Sequence, residues 1–145
     1  MSKQGALVPA ASFEAGHWPE HVRWEITGSR VSMYGRVPRD LFHLIGHFPE
    51  NPLVPGFVVV SWALGALERS LQRPINVRAM RRLKFLRALR PGDAFLLSME
   101  LGACSSGRRQ AAFSFLEDGE APGSFQEVPF CSGVLDYDEG SYGVN

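Results

Sequence analysis

The sequence predicts an α+β fold, in which an antiparallel sheet packs on one long buried helix. An alternating segment with a Gly-Ser turn, residues 21–37, indicates a β-hairpin before the helix. Residues 57–72, FVVVSWALGALERSLQ, are apolar around the whole helix circumference until Glu68. The segments after Pro74 are strand-like and are separated by turn residues, which indicates an antiparallel run of strands.

Length and composition indicate one globular domain. The 145 residues can bury a core of their own, and 45% apolar and 21% charged residues are ordinary for such a domain. We therefore expect a single domain over residues 1–145. Residues 1–20 are expected to form an irregular arm, because they contain Pro9 and Pro19, and the polar residues 137–145 are expected to be a frayed tail.

The charge and the hydropathy of the chain argue against a nucleic-acid-binding protein and against a membrane-spanning one. The formal net charge is zero, so no global attraction to nucleic acid or anionic membrane is expected. The most apolar stretch, residues 53–67, is shorter than the ~18–20 residues of a spanning helix, and no signal-peptide pattern opens the chain. The expected location is the cytoplasm. Cys104 and Cys131 are expected to be free thiols, with a single disulfide as the alternative, and their spacing offers no metal motif.

Each element has its own local signal. In the hairpin, Val22, Trp24 and Ile26 share one face, and Val31 and Met33 share another. The helical segment begins with three valines, which alone would also suit a strand, but its length and its Ala/Leu-rich second half favour a helix that ends before Pro74.

The later strands are expected at residues 77–89, 94–102, 109–116 and 125–135. The turn Arg90-Pro91-Gly92-Asp93 separates the first two, and residues 117–124 form a polar loop before the last. Ala111, Phe113 and Phe115 alternate and should face the core.

The motif GHFPENPLVPG, residues 46–56, contains one histidine, three prolines and two glycines, and a short helical or turn segment over residues 39–45 leads to it. It resembles the signature of the β-hydroxyacyl-ACP dehydratases, which have the hot-dog fold. The block KFLRALRPGDAFLLSMEL, residues 84–101, is similar to that family's strand–PGD–strand segment. Trp62 and the short length most resemble the stand-alone dehydratases of aryl-polyene pathways. The resemblance covers about residues 20–135.

The resemblance implies a mechanism with three roles. His47 matches the family's catalytic base, although outside the motif it would be read as a hydrogen-bonded loop histidine. Gly56 matches the glycine whose backbone N–H faces the thioester oxygen. The family places Asp or Glu five residues after this glycine, where the present chain has Ser61. Ser61 is either a site residue that holds water or a substrate hydroxyl, or a small helical residue bonded to the preceding turn.

The resemblance also implies substrate contacts and partners. We expect Phe48, Pro55, Phe57 and Trp62 to contact substrate, although several aromatic residues here also suit a plain core. No cofactor or metal is expected, because the substrate is carried on the phosphopantetheine of an acyl carrier protein or of CoA. A homodimer is expected, and a larger oligomer remains an alternative.

A basic run from Arg69 to Arg90 contains eight basic residues and no acid. It suits either a solvated strand edge or a surface for an acidic acyl carrier protein, and no nucleic-acid motif accompanies it. The candidate carrier-binding residues are Arg78, Arg81, Arg82, Lys84, Arg87 and Arg90.

Three hypotheses for function follow. The first is a 3-hydroxyacyl-ACP (or acyl-CoA) dehydratase in fatty acid or polyene-type biosynthesis. The second is a non-catalytic acyl-thioester-binding protein or an inactive partner subunit, and the third is a hot-dog thioesterase. Ser61 at the acid position is the feature that separates them.

Overall fold

The structure is a computed structural model that describes residues 17–40, 53–102, 108–118 and 128–139. Within these residues it has one helix, α1, at Gly56–Leu71. The six strands are β1 (Glu20–Thr27), β2 (Arg30–Arg36), β3 (Ile75–Phe85), β4 (Ala94–Gly102), β5 (Arg109–Glu117) and β6 (Cys131–Glu139). No helix in the described part of the chain is long and apolar enough to cross a membrane.

The six strands form one sheet in the order β1-β2-β4-β5-β6-β3, and every neighbouring pair is antiparallel. The chain leaves β2 near one edge, passes through α1, and returns as β3 at the opposite edge. The described residues thus confirm the predicted α+β arrangement of an antiparallel sheet with one packed helix.

The predicted hairpin is confirmed as β1 and β2. The turn between them places Gly28 at φ 58°, a left-handed conformation that glycine adopts without steric cost. Trp24, Val31 and Met33 are buried, as the alternation predicted. Buried side chains on alternate positions turn one face of the hairpin toward the helix.

The core lies between α1 and the inner face of the sheet. Trp62 of α1 is completely buried and stacks on Phe95 of β4, with ring centroids 5.8 Å apart and planes 10° apart. Phe95 in turn contacts Phe115, and Phe115 contacts Phe113 edge-on. Ala111, Phe113 and Phe115 are buried together, which confirms the predicted inner face of β5.

Helix α1 begins at Gly56 and ends at Leu71, within one residue of the predicted bounds. The three valines at its start are helical, because burying Val58 and Val59 against the sheet outweighs the weak preference of valine against a helix. The expectation of nearly complete burial was wrong for one stripe, since Phe57, Val60 and Leu64 line an open hollow. A helix buried on all sides would need a second layer that the described residues do not provide.

Strand β3 differs from its predicted bounds, because it starts at Ile75 and ends at Phe85 rather than running from 77 to 89. The backbone N–H groups of Leu86 and Arg87 both donate to the Phe130 carbonyl, which turns the chain out of the sheet. Two register shifts interrupt the pairing with β6, and Arg82 adopts φ 55° inside the second one.

Strand β6 runs from Cys131 to Glu139, so the predicted end at Leu135 was wrong. Residues 137–139 pair with the start of β3 rather than fraying, and Tyr137 is buried. Polar residues alternate with apolar ones here, because one face of the strand is only partly buried. Residues 125–127 and 140–145 lie outside the described part of the chain.

Residues 17–19 of the predicted arm are fixed on the helix. The Trp62 indole N–H donates to the His17 carbonyl at 2.9 Å, and the Arg69 guanidinium lies 4.3 Å from the Trp18 ring centroid. Both contacts hold the entry to β1 against α1. Residues 1–16 lie outside the described part of the chain.

Replacing Trp62 by alanine should reduce the free energy of unfolding by about 3–5 kcal/mol, because it leaves a cavity beneath the sheet. Phe57→Ala is the matched control, since Phe57 lies on the same helix but is 67% exposed. Urea denaturation of the two variants measures the difference. Equal losses at both positions would contradict the packing described above.

Candidate functional site

The site predicted from sequence centres on Gly56, the first residue of α1. Pro55 precedes it in an extended conformation, and its carbonyl accepts from the N–H groups of Val58 and Val59 at 3.0 and 3.3 Å. No side chain caps this helix end and no acidic residue lies in its first turn. The end of the helix therefore offers an N–H and a positive dipole to a negatively charged oxygen.

Gly56 is packed directly against an aromatic ring. A Cβ atom built on Gly56 would lie 2.9 Å from one carbon of the Phe85 ring, closer than real Cβ contacts allow, and 3.0 Å from a second. A side chain at this position would have to displace the ring. The close approach of Phe85 thus favours glycine at the start of the helix, because a larger residue would have to move the exposed end of that ring.

Two hollows meet at Gly56 and Phe85, which line both of them. The smaller, of about 400 Å³, is otherwise lined by Phe57, Val60, Ser61, Leu64, Met80 and Leu83. The larger, of about 560 Å³, extends between α1, the segment after β3 and the start of β6, and its lining includes Val54, Val59, Arg87, Leu89, Phe130 and Cys131. Both are mainly apolar, which suits a hydrocarbon chain.

Ser61 lines the smaller hollow, five residues after Gly56. Its hydroxyl donates to the Val58 carbonyl at 2.6 Å, a bond back to the preceding turn of the helix. Its single proton is therefore engaged with the backbone, and its oxygen lone pairs remain to accept a hydrogen bond. In this rotamer Ser61 can hold a donor such as water, but it donates nothing to the hollow.

Glu68 does not replace the missing acid. Its carboxylate accepts from the Ile75 backbone N–H at 3.1 Å, where the chain enters β3 after α1. This contact holds Glu68 near the C-terminal end of the helix, away from Gly56.

The predicted substrate contacts lie in different surroundings. Phe57 is exposed and lines the smaller hollow, and Pro55 forms the N-cap next to Gly56. Trp62 is buried in the core and is not part of the lining of either hollow. His47 and Phe48 lie outside the described residues, so their predicted roles remain predictions.

Three of the six candidate carrier-binding residues pair with acids of the same chain. Arg78 binds Asp138 at 2.6 Å, and Arg81 binds Asp136 through two N–H donors at 2.9 and 3.0 Å. Arg81 lowers the pKa of the Asp136 carboxyl by hydrogen bonding to its charged form. Arg87 binds Glu117 at 3.2 Å and lies over the Phe130 ring. Much of this charge is locally compensated.

Arg82 and Lys84 differ from these arginines. Both are exposed, and among the described residues no carboxylate lies within ion-pair distance of either side chain. Arg90 belongs to the turn before β4, where its backbone N–H donates to the Asp93 carboxylate at 2.9 Å. The uncompensated charge of the described part of β3 thus lies near its end, at Arg82 and Lys84.

The lining includes Cys131, which sequence reasoning did not place at the site. It is 1% exposed, and burial raises the pKa of its thiol to about 11. Cys131 lies here because it pairs with Phe85 across β3 and β6. The sequence of either strand alone does not indicate this register. No group of three His, Cys, Asp or Glu side chains within the described residues could hold a metal ion.

Comparisons with known proteins match the same region. A profile of the ApeI-like family, described as ApeI dehydratase, matches residues 23–134. The 3-hydroxyacyl-[acyl-carrier-protein] dehydratase FabZ of Brucella ovis is 36% identical over 66 residues, 40% of this chain and 42% of the relative. FabZ of Brucella abortus (strain S19) is 38% identical over 63 residues, 38% of this chain and 40% of the relative. The chain thus spans about two fifths of these relatives.

Solved structures resemble the whole fold. The dehydratase heterocomplex ApeI:P from Xenorhabdus doucetiae has a TM-score of 0.67 at 19% identity and covers 83% of this chain and 97% of that one. The E. coli PaaI protein from the phenylacetic acid degradation operon has a TM-score of 0.61 at 10% identity and covers 83% and 80%. Identities this low show the fold alone.

The sheet, its helix and these neighbours define a protein of the hot-dog fold, as the resemblance implied. The match over residues 23–134 shows that the chain belongs to the ApeI-like dehydratase family. This confirms the predicted resemblance to the aryl-polyene-type dehydratases.

Stability should fall as the pH rises from 9 to 11, because the folded protein keeps the Cys131 proton that the unfolded chain loses near its ordinary pKa of 9.0. Below pH 9 the thiol should have no effect. Urea unfolding of the protein and of Cys131→Val, both carrying Cys104→Ser, measures this. An identical pH dependence of the two proteins would show that the buried thiol titrates normally.

Proposed function

We propose that this chain is a 3-hydroxyacyl thioester dehydratase that acts on substrates carried by an acyl carrier protein or CoA, in fatty acid or polyene-type biosynthesis in the cytoplasm. The observation that carries the proposal is the uncapped helix end at Gly56, which opens between two apolar hollows. Membership of the ApeI-like family supports a dehydratase-type role. The reaction needs no cofactor, because a side chain can carry the one proton that moves from the α-carbon to the leaving hydroxyl.

In this proposal the thioester carbonyl oxygen accepts a hydrogen bond from the Gly56 N–H. The donor acts on the negative charge that develops as a proton leaves the neighbouring α-carbon. His47 takes that proton, the α-carbon and β-carbon form the double bond, and the C–O bond of the 3-hydroxyl breaks. The protonated His47 then returns the proton to the leaving hydroxyl, which departs as water.

Ser61 has a restricted part in this scheme. Because its proton is bonded to the Val58 carbonyl, Ser61 serves as an acceptor that orients the leaving hydroxyl or the water. It does not replace the general acid that an Asp or Glu would provide. The same observation favours the second candidate, a non-catalytic acyl-thioester-binding protein or inactive partner subunit, because general acid–base catalysis is typically worth ~10²–10⁴-fold.

A homodimer is part of the proposal, with β3 at the interface. This strand ends the sheet, so its outer backbone groups are available for pairing. It also leaves apolar side chains uncovered, since Val77, Leu83 and Phe85 are 42%, 38% and 52% exposed in the single chain. A second copy at this edge would bury them. The dehydratase heterocomplex ApeI:P from Xenorhabdus doucetiae, which shares this fold, supports association of hot-dog chains in general.

The carrier surface is proposed to centre on Arg82 and Lys84. An acidic carrier protein gains most from cations that no acid among the described residues neutralises. Arg78, Arg81 and Arg87 would contribute less, because acids of the same chain offset their charge. Arg90 would contribute from the turn before β4.

The purified protein should convert a 3-hydroxyacyl-ACP slowly to the enoyl product, and His47→Ala should abolish the conversion. Ser61→Asp should raise the rate by about 10- to 100-fold, because it restores a carboxyl group in the hollow beside Gly56. Enoyl product and free thiol are measured together in one assay. Ser70→Asp is the matched control, since Ser70 lies on the same helix and also bonds back to the preceding turn, at Leu67.

The outcomes separate the candidate functions. Enoyl formation that depends on His47 supports the dehydratase. Free thiol without enoyl product would instead identify a thioesterase. If the wild type and Ser61→Asp both bind substrate without turnover, the protein is a non-catalytic binding protein. An equal gain of rate in Ser70→Asp would show that the gain in Ser61→Asp does not come from the acid position.

Changing Arg82 and Lys84 to glutamine together should weaken binding of an acidic carrier protein several-fold and should reduce its dependence on salt. The control changes Arg81→Gln with Asp136→Asn, which removes one cation and its own acid without altering net charge. Its affinity should match the wild type. Titration at several salt concentrations measures both, and an equal loss in both variants would contradict the placement at Arg82 and Lys84.

A further inference from the structure

The chain on either side of the His47 motif is bonded to one short stretch, residues 89–93, the anchor segment. Residues 41–52 lie outside the described part of the chain, but the residues on either side of them are described. On the far side, the Val54 N–H donates to the Leu89 carbonyl at 2.8 Å, and both side chains are buried in the core. The anchor segment thus fixes the chain just before helix α1 begins.

The chain at the end of β2 is bonded to the other end of the anchor segment. The Val37 N–H donates to the Asp93 carbonyl, and the Val37 carbonyl accepts from the Gly92 N–H, both at 2.8 Å. The Arg36 guanidinium donates to the Gly92 carbonyl at 2.7 Å. Both polar backbone groups of Gly92 therefore hold the end of β2, where the chain leaves the sheet.

Gly92 makes these contacts in a conformation that glycine adopts without strain. Its φ is 90°, in the left-handed region that other residues rarely occupy. A Cβ atom there would lie 3.1 to 3.2 Å from three atoms of the Arg39 guanidinium, so this group covers the side on which a side chain would project. Arg36, Val37 and Arg39 thus all contact one glycine. Its backbone conformation sets the path of the chain as it leaves β2.

The anchor segment is also held by hydrogen bonds of its own. The Arg90 N–H donates to the Asp93 carboxylate at 2.9 Å, and the Asp93 N–H donates to the Arg90 carbonyl at 3.0 Å. This reciprocal pair fixes the turn that precedes β4. Leu89 and Gly92 are three positions apart, so their Cα atoms lie within about 11 Å of each other. The two attachment points are therefore close together and belong to one braced turn.

We propose that Gly92 is a positioning residue, which fixes the start of the stretch carrying His47 relative to Gly56 of the same chain. This inference rests on the proposed function, in which His47 moves the proton and the Gly56 N–H binds the carbonyl oxygen. The rate of such a proton transfer depends on the placement of the reacting groups. The chain that joins the two groups is held at both ends by the anchor segment. The residue at position 61 takes no part in this role, whichever protomer supplies it.

Gly92→Ala tests the role by changing the backbone. Alanine relaxes away from a φ of 90°, which turns the N–H and the carbonyl that hold Val37 and Arg36. The kcat for a 3-hydroxyacyl-ACP should fall about 10- to 100-fold, because a displacement of about 1 Å has an effect of this size. The KM should stay within about twofold, because the chain next to Gly56 is bonded to Leu89 rather than to Gly92.

Gly28→Ala is the matched control. Gly28 also has a positive φ, of 58°, but it lies in the β1–β2 turn, and a Cβ atom there would meet nothing within 4 Å. Urea unfolding should show a loss of stability in both alanine variants, whereas kcat should fall only in Gly92→Ala. Arg36 provides a rescue test. Arg36→Ala should lower kcat, and Arg36→Lys should keep most of it, because an ammonium group can still donate to the Gly92 carbonyl.

Hydrogen exchange followed by mass spectrometry tests the anchoring without substrate. Peptides that cover residues 41–52 should exchange about fivefold faster or more in Gly92→Ala than in the wild type, because one of the two attachments is weakened. Their exchange should be unchanged in Gly28→Ala. Light scattering of each variant checks that the oligomeric state is the same.

The two measurements separate the two proposals. If exchange rises in Gly92→Ala but no protein in the set forms enoyl product, the anchoring stands and the dehydratase function fails. If the wild type is active and Gly92→Ala loses no more kcat than Gly28→Ala, the function stands and the role of Gly92 is overturned. Unchanged exchange in Gly92→Ala, or a loss confined to KM, also overturns it.

Discussion

The structure depends on the burial of α1 against the inner face of the sheet. The stack of Trp62 on Phe95, extended by Phe115 and Phe113, fills the space between the layers. This packing fixes both the position and the rotation of the helix. Because the helix cannot rotate, Gly56 is held at the open end, and the stripe with Ser61 stays turned away from the core. The geometry of the site is therefore a consequence of the core.

Local patterns were sufficient for most elements of the fold. Alternation predicted the hairpin and the inner face of β5, and continuous apolarity predicted α1. The ends of β3 and β6 were missed, because they depend on contacts between distant segments. The Phe130 carbonyl takes the N–H groups that would have continued β3, and residues 137–139 are ordered by pairing with Ile75–Val77. The residue pattern within either strand does not indicate these distant hydrogen-bond partners.

The part of the candidate site that lies in the motif of residues 46–56 and the positions just after it was predictable from the sequence. The position of Gly56 at the start of the helix follows from the Pro-Gly pair, and the departure at Ser61 was visible in the sequence. The contact of Phe85 with Gly56 and the presence of Cys131 were not, since they depend on a bulge at Arg82 and on the β3–β6 register. The compensation of Arg78 and Arg81 by acids 60 and 55 residues away is likewise a tertiary property.

The contact between Gly56 and Phe85 has a consequence for how such a site can diverge. If the group that grips the carbonyl is a backbone N–H, no exchange of side-chain chemistry can alter it. Proline alone removes the N–H itself, and any other side chain at this position must first displace the tip of the Phe85 ring. Substitutions that change the chemistry of the site therefore occur at neighbouring positions, such as residue 61, where the side chain can vary. Proteins with such a site can lose or regain the acidic residue at this position while the backbone hydrogen bond to the substrate carbonyl is kept.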